Sequence, residues 1–321
     1  PHSFTGEDVV EITCHGGMFV VQKALRVVLA SGAVPAEPGE FSKRAFLNGK
    51  IDLSGAEGIM TLINSRAEQG VTAALNVLEG SLSKELGKIT ESLTEICAHI
   101  SAWVDYPDDE IEEIDEAEII NTLRKSEGTL QRLLDKFDSG MAVTTGVDAA
   151  IIGKPNAGKS TLMNLLLGYD RSIVTDVKGT TRDVVEETAN VDGSILRLSD
   201  TAGIRDTDDT VEKLGVERSL EKIKRCAVVL AVFDSAEELS GEDEELIELC
   251  KGRPVIPILN KTDKPCLIDK EKIRIALGEP TEISASTGEG LQELKDRINT
   301  VLGTHDFDPN AAMLANERQR Q

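Results

Sequence analysis

Aromatic side chains are scarce in this chain. One Trp, two Tyr and seven Phe make 3% of 321 residues, so its cores must be built from Leu, Ile, Val and Ala. Long apolar runs are missing too. None approaches the ~18 residues that a membrane-crossing helix needs, and no basic-then-apolar leader opens the chain. Cysteine is sparse and scattered: Cys14, Cys97, Cys226, Cys250 and Cys266 form no C-x-x-C pair and no cluster with histidine. That argues against zinc and against a disulfide framework. The thiols read as reduced and buried, in a cytoplasmic protein. Positive charge is short as well. Lys and Arg number 35 against 57 Asp and Glu, a net charge of −22. Such a chain is poorly suited to wrapping nucleic acid over its whole surface, because phosphate contacts need Lys and Arg. A local basic patch or a basic partner stays open.

What is present fits a globular protein, with 40% hydrophobic and 29% charged residues. The length corresponds to two or three domains of ~150 residues. Both ends read as cut: the chain starts at Pro1 without Met, and it stops in a helical pattern carried by Ala311, Ala312, Leu314 and Ala315. We therefore expect an internal portion of a longer protein.

Residues 1–52 alternate short apolar runs with turns. Positions 9–12 read as a strand, His15-Gly16-Gly17 as a turn and Met18–Ala30 as a helix. The next segment, 53–144, changes character. Leu75, Leu78, Leu82, Leu86, Ile89, Leu93, Ile96, Ile100 and Trp103 recur at steps of three and four, which predicts one long amphipathic helix in a bundle, despite Gly80 and Gly87. An acidic stretch over 105–118 follows, read as a solvated loop and an acidic first helical turn rather than a metal site. A second helix carries Ile119 to Phe137 and ends near Ser139-Gly140. From 145 to 303 the pattern switches. Strands are predicted at 147–152, 184–190, 194–199, 227–233, 254–259 and 281–283. Helices are predicted near 159–168, 212–225, 242–251, 269–276 and 289–302. Asp192-Gly193 signals a hairpin between the second and third strands. The fold class is α/β: a mostly parallel sheet with helices on both faces and one antiparallel edge strand, set into helical surroundings. Residues 304–321 return to helical character.

Four motifs in this α/β segment carry chemistry. Gly153-Lys154-Pro155-Asn156-Ala157-Gly158-Lys159-Ser160 follows a predicted strand and opens a predicted helix that continues with Thr161, the context a phosphate-binding P-loop requires. Its glycines let backbone N–H groups turn inward, and the helix N-terminus adds partial positive charge. Lys159 can reach β/γ oxygens and Ser160 can bind Mg²⁺. Asn260-Lys261-Thr262-Asp263 sits at a strand's C-terminal end, where open α/β sheets bind ligands. A carboxylate at Asp263 can accept from guanine N1–H and its exocyclic NH₂, donors adenine lacks. Ser284-Ala285-Ser286 can close over the base with backbone N–H groups. Asp200-Thr201-Ala202-Gly203 ends the third strand: Asp200 can hold Mg²⁺ through water, and the Gly203 N–H can meet a γ-phosphate. Gly179-Thr180-Thr181-Arg182-Asp183 takes the place of a switch loop whose threonine, Thr181, completes the Mg²⁺ shell. These four in order describe a GTPase domain. Ile204 follows Gly203, so the usual water-orienting glutamine is absent.

With these motifs the chain resembles the MnmE (TrmE) family of tRNA modification GTPases. Further support comes from Ser3-Phe4-Thr5-Gly6-Glu7-Asp8, Cys14-His15-Gly16-Gly17, Pro38-Gly39-Glu40-Phe41-Ser42 and Arg44-Ala45-Phe46-Leu47-Asn48, and Tyr106-Pro107-Asp108-Asp109-Glu110-Ile111. The resemblance runs along essentially the whole chain. It implies that residues 1–52 are the remnant of a folate-binding, dimerising α/β domain. Residues 53–144 and 304–321 would then be parts of a helical domain, with a GTPase domain at 145–303 inserted into it.

The resemblance also implies an activity: GTP hydrolysis serving C5 modification of wobble uridine in tRNA. A tetrahydrofolate derivative donates the carbon, and the flavin-dependent partner MnmG takes part. It assigns folate contacts to Glu11 and Lys50, and the organisation of the attacking water to Glu212. GTP contacts extend over Thr175, Asp176, Val177, Lys178, Gly179, Thr180 and Thr181. A potassium ion would be held by Asn156, Thr175, the Val177 backbone and Thr180, and would stimulate hydrolysis. Plain alternatives stand beside each assignment: a strand-edge Glu11, a solvated Lys50, a turn-capping Asn156, a helix-start Glu212 and a structural His15. A different class of protein, a GTP-controlled RNA-binding assembly factor, would call for a basic domain after the GTPase segment.

Overall fold

The computed structural model describes residues 2–106, 115–168, 187–200 and 226–321. Its sheet follows from uninterrupted apolar runs. Strand β4, Val228–Asp234, reads VVLAVFD and is buried at every position. Such a run needs cover on both faces, which marks a central strand of a parallel sheet. Around it lie β1 (Val147–Ile152), β2 (Glu187–Val191), β3 (Ser194–Asp200), β5 (Val255–Asn260) and β6 (Thr281–Glu282), in the order β2-β3-β1-β4-β5-β6. Only β2 runs antiparallel, joined to β3 through Asp192 and Gly193 at φ 49° and 103°. Both central residues at positive φ make this the primed hairpin turn that the dipeptide signals.

Helices cover the two faces. Leu162 and Leu166 of α8 (Lys159–Gly168) and Leu291, Leu294 and Ile298 of α11 (Leu291–Val301) pack with Ile151, Leu230 and Ile256. On the other face Ile247 and Cys250 of α9 (Gly241–Cys250) and Ile273 of α10 (Lys270–Leu277) pack with Phe233 and Leu259. These four helices cover the sheet mainly with aliphatic carbon, as the low aromatic content requires.

Before β1 the chain is helical: α1 (Met18–Ala30), α2 (Glu40–Leu47), α3 (Leu53–Asn64), α4 (Glu68–Leu78), α5 (Ser81–Asp105), α6 (Glu116–Asp135) and α7 (Phe137–Thr144). After α11 the chain returns to these helices. Met313 and Ala315 bury against Ala73 and Val77 of α4, while Leu314 joins Leu82, Leu133 and Phe137. Asn76 donates to the carbonyls of Asn310 and Ala311 at 2.8 and 2.9 Å. Arg318, in the four-residue α12 (Glu317–Arg320), grips Glu57 of α3 through two bonds of 2.7 and 2.8 Å. The sheet segment thus sits between two stretches that pack on each other.

Five expectations are corrected. The stripe of 75–103 is not one helix: Gly80 adopts φ 84° and separates α4 from α5, so Leu75 and Leu78 belong to a different helix from Leu82 onward. Nor does the second helix run to Ser139-Gly140: it ends at Asp135, and Ser139 and Gly140 lie inside α7. There Gly140 leaves room for Met313, whose Cε would lie 3.0 Å from an added Cβ. Residues 311–315 are irregular rather than helical, and packing of Met313, Leu314 and Ala315 decides their path. Positions 9–12 join no ladder, because no second strand lies beside them among the described residues. α1 buries none of its side chains. Finally, only Cys250 is buried among the thiols; Cys14, Cys97 and Cys266 are exposed and Cys226 is intermediate. Among the described residues no helix is long and apolar enough to cross a membrane.

Candidate functional site

The C-terminal ends of β1, β4 and β5 meet on one edge, and the loops leaving them form the site. β1 leads into Gly153, where an added Cβ would lie 2.3 Å from the Val232 carbonyl oxygen of β4. Only glycine allows the loop to leave so close to its neighbour. Asn156 sits at φ 62° at the loop's exposed crest, and Gly158 at φ 97° turns the chain into α8. Lys159 opens α8 and reaches back, its Nζ 2.9 Å from the Gly153 carbonyl oxygen and 2.8 Å from that of Lys154. Ser160 and Thr161 are exposed on the same first turn. This is a ring of backbone closed around an ammonium group, the geometry that cradles phosphate.

Asn260 fastens this loop to the others. It is 2% exposed; its Nδ2 donates to the Ala157 carbonyl at 2.8 Å, and its Oδ1 accepts from Ala285 N–H at 3.0 Å. An added Cβ on Gly158 would fall 2.1 Å from that Nδ2. Lys261, at φ 67°, places its Nζ 2.5 Å from Oδ2 of Asp234, which is 3% exposed at the end of β4. Asp263 is exposed at the rim and accepts from the Ser284 hydroxyl at 2.6 Å, with Ser286 Oγ at 3.5 Å. The Ser284 hydrogen bond holds the Asp263 carboxyl below the usual aspartate range. The result is a fixed acceptor pair at one end of the edge and an anion cradle at the other.

The register of β1 with β3 pairs Ile151 with Asp200, which sets Asp200 beside the root of the P-loop. The structure therefore brings together Asn156, Ala157, Gly158, Lys159, Ser160, Thr161, Asp200, Asn260, Lys261, Asp263, Ser284, Ala285 and Ser286. Thr175, Asp176, Val177, Lys178, Gly179, Thr180, Thr181, Thr201, Ala202, Gly203 and Glu212 lie outside the described residues. The hydroxyl oxygen of Ser160 is the kind of hard donor that suits a divalent cation beside phosphate. Among the described residues no group of three His, Cys, Asp or Glu could hold a metal by itself. Lys50 and Glu11 are both exposed. The Lys50 stem crosses Gly6, where an added Cβ would sit 2.9 Å from Lys50 Cε. Asn48 braces that turn by donating to the Thr5 carbonyl at 2.8 Å.

Lys154, quoted above only as a member of the P-loop motif, and Asp234, Ser240 and Asp243 also shape this edge. A signal existed for two of them: Ser240 with Asp243 three residues on has capping-box spacing, and both of its hydrogen bonds are made.

The comparisons with known proteins now bear on this edge. The family model described as "MnmE helical domain" matches residues 53–321, and that described as "GTP-binding protein TrmE N-terminus" matches residues 1–50. The chain belongs to the MnmE family of GTPases. A tRNA modification GTPase MnmE of Clostridioides difficile is 43% identical over 316 residues, covering 98% of this chain and 69% of that protein. Another, of Alkaliphilus oremlandii, is 46% identical over 304 residues, covering 94% and 66%. The chain thus spans about two thirds of the length of these curated MnmE relatives. A solved Era variant of Aquifex aeolicus bound to GDP and aluminium fluoride is 33% identical, with a TM-score of 0.38. It covers 50% of this chain and 57% of its own.

Proposed function

We propose that this chain binds guanine nucleotide on the β1–β4–β5 edge and hydrolyses GTP in the service of tRNA wobble-uridine modification. The observation that carries the reading is the single frame built by Asn260. It ties the phosphate cradle at Ala157 to the Ser284–Asp263 acceptor that suits guanine. Asp263 would accept from the two guanine donors; Lys159 would leave its carbonyl partners for the β- and γ-phosphates. Ser160, Asp200 and Thr181 would hold Mg²⁺, which supplies charge neutralisation on the phosphates. Glu212 would orient the water, since Ile204 stands where a glutamine would serve. Asn156, with Thr175, the Val177 backbone and Thr180, would hold potassium, a positive charge in the place of an arginine finger.

The remaining parts of the proposal rest on the family. Residues 1–52 would belong to the folate-binding, dimerising domain, with Glu11 and Lys50 on a tetrahydrofolate donor. Residues 53–144 and 304–321 would form the helical domain, and 145–303 the GTPase domain. MnmG and tRNA would be the partners of a cytoplasmic homodimer. The test is GTP turnover by the full-length protein, with and without MnmG, in potassium and in sodium at equal ionic strength. We expect potassium and MnmG each to raise turnover, and GTP but not ATP to displace labelled GDP. Displacement by ATP as effective as by GTP would overturn the guanine reading; equal rates in both salts would leave Asn156 a turn cap only.

A further inference from the structure

We infer that Lys154 is a positioning residue, locking the P-loop to the N-terminus of α9 so that the phosphate cradle and Lys159 keep their shape. The inference rests on the nucleotide reading above. The Lys154 ammonium lies 2.8 Å from Glu237 Oε2 and 3.2 Å from Asp243 Oδ2. Glu237 is exposed, but Asp243 is 1% exposed, and its carboxylate is already committed. Oδ2 also accepts from the Ser240 N–H at 3.0 Å and the Ser240 hydroxyl at 2.7 Å, closing the capping box of α9. Its other oxygen, Oδ1, is buried with no hydrogen-bond partner among the described residues. A carboxylate so deprived of water needs a cation, and Lys154 supplies it. Asp243 cannot follow a drifting lysine without uncapping its helix.

The same residue faces the phosphate site through its backbone. The Lys154 carbonyl is one of the two that receive the Lys159 ammonium. Asn260 fixes the far end of the loop at Ala157, and the Lys154 side chain fixes the near end. With its charge spent on two carboxylates, Lys154 is an anchor and not a phosphate ligand. Burial works against its charge, yet the hydrogen bonds it donates to Glu237 and Asp243 win and hold it above the usual lysine range.

The experiment measures release of a fluorescent (mant) GDP from the full chain by stopped flow, for wild type, K154M, K154R, D243N and the K154M/D243N pair. K154M keeps the apolar stem, and K154R keeps the charge. We expect K154M and D243N each to speed release about tenfold, which corresponds to ~1.4 kcal/mol. The pair should be no faster than either alone, and K154R should restore slow release. Rescue by arginine and non-additivity are not properties of a general loss of packing. If D243N melts below the assay temperature, K154M against K154R decides the matter. Release from K154M at the wild-type rate overturns the inference. So does a D243N protein that binds GDP more tightly, since a lysine freed to reach phosphate would do that. A wild-type chain that fails to retain mant-GDP overturns the nucleotide reading, and this inference with it.

Discussion

At the scale of single residues, Asp263 decides which base the edge accepts. Its carboxylate is oriented by Ser284 at 2.6 Å and presented at the rim. Asp263→Asn turns two acceptors into an acceptor and a donor, and the donor faces guanine donors. GDP affinity should fall at least ~100-fold while the protein's melting temperature holds, as read by calorimetric titration. The pH dependence has a definite sign. The Ser284 hydroxyl lowers the carboxyl, so its charged form is in place above the ordinary aspartate range and is lost only as pH falls through the lowered value. Guanine preference should therefore stay flat between about pH 6 and about pH 8 and weaken only in acid. Sequence disclosed Asp263, Asn260 and Lys159 because each sits at a fixed offset from a glycine or a strand end. Lys154 and Asp243 were not legible. They are 89 positions apart, and no local pattern pairs a loop lysine with a helix-capping aspartate.

Among the described elements, the strands and helices around the sheet were legible because β4 and β5 are apolar up to their terminal Asp234 and Asn260 and α8 follows a motif of known shape, while the helix expected at 212–225 lies outside the described residues. The helices before β1 were harder. A heptad-like stripe does not show where a glycine turns left-handed, and the break at Gly80 depends on α4 finding α3 and α7. Two glycines separate these influences. Gly87 is exposed within α5, with nothing within 4 Å of an added Cβ. Gly87→Ala should stabilise the protein by about 0.5–1 kcal/mol, from helix propensity alone. Gly70 in α4 has the same intrinsic preference, but there an added Cβ would lie 2.7 Å from the Val143 carbonyl of α7. The backbone cannot yield as a side chain can. Gly70→Ala should therefore destabilise by about 1–3 kcal/mol in chemical denaturation, the opposite sign from the same substitution in the next helix.

For the molecule as a whole, the return of the chain to its early helices determines how the two halves depend on each other. Met313 is 2% exposed, in a cluster with Ala73, Val77 and Ala315, and Gly140 is shaped around it. The core around the sheet lies in separate clusters, built among the described residues from the strands and from α8 to α11. Contacts between the halves exist: Arg66 donates to Thr188 of β2 at 2.5 Å, and an added Cβ on Gly193 would meet Gln69 at 2.7 Å. α7 also packs beside β3, so among the described residues these contacts run from the hairpin along β3. Met313→Asp places a carboxylate in an apolar cluster, at a cost of roughly 3 kcal/mol or more. If the α/β segment is an insert with its own core, calorimetry should show one transition moving down sharply. A second transition, raised by added GDP, should stay where it was. A single transition that falls as a whole, with GDP affinity falling alongside it, would mean that the helical surroundings and the nucleotide edge fold as one unit.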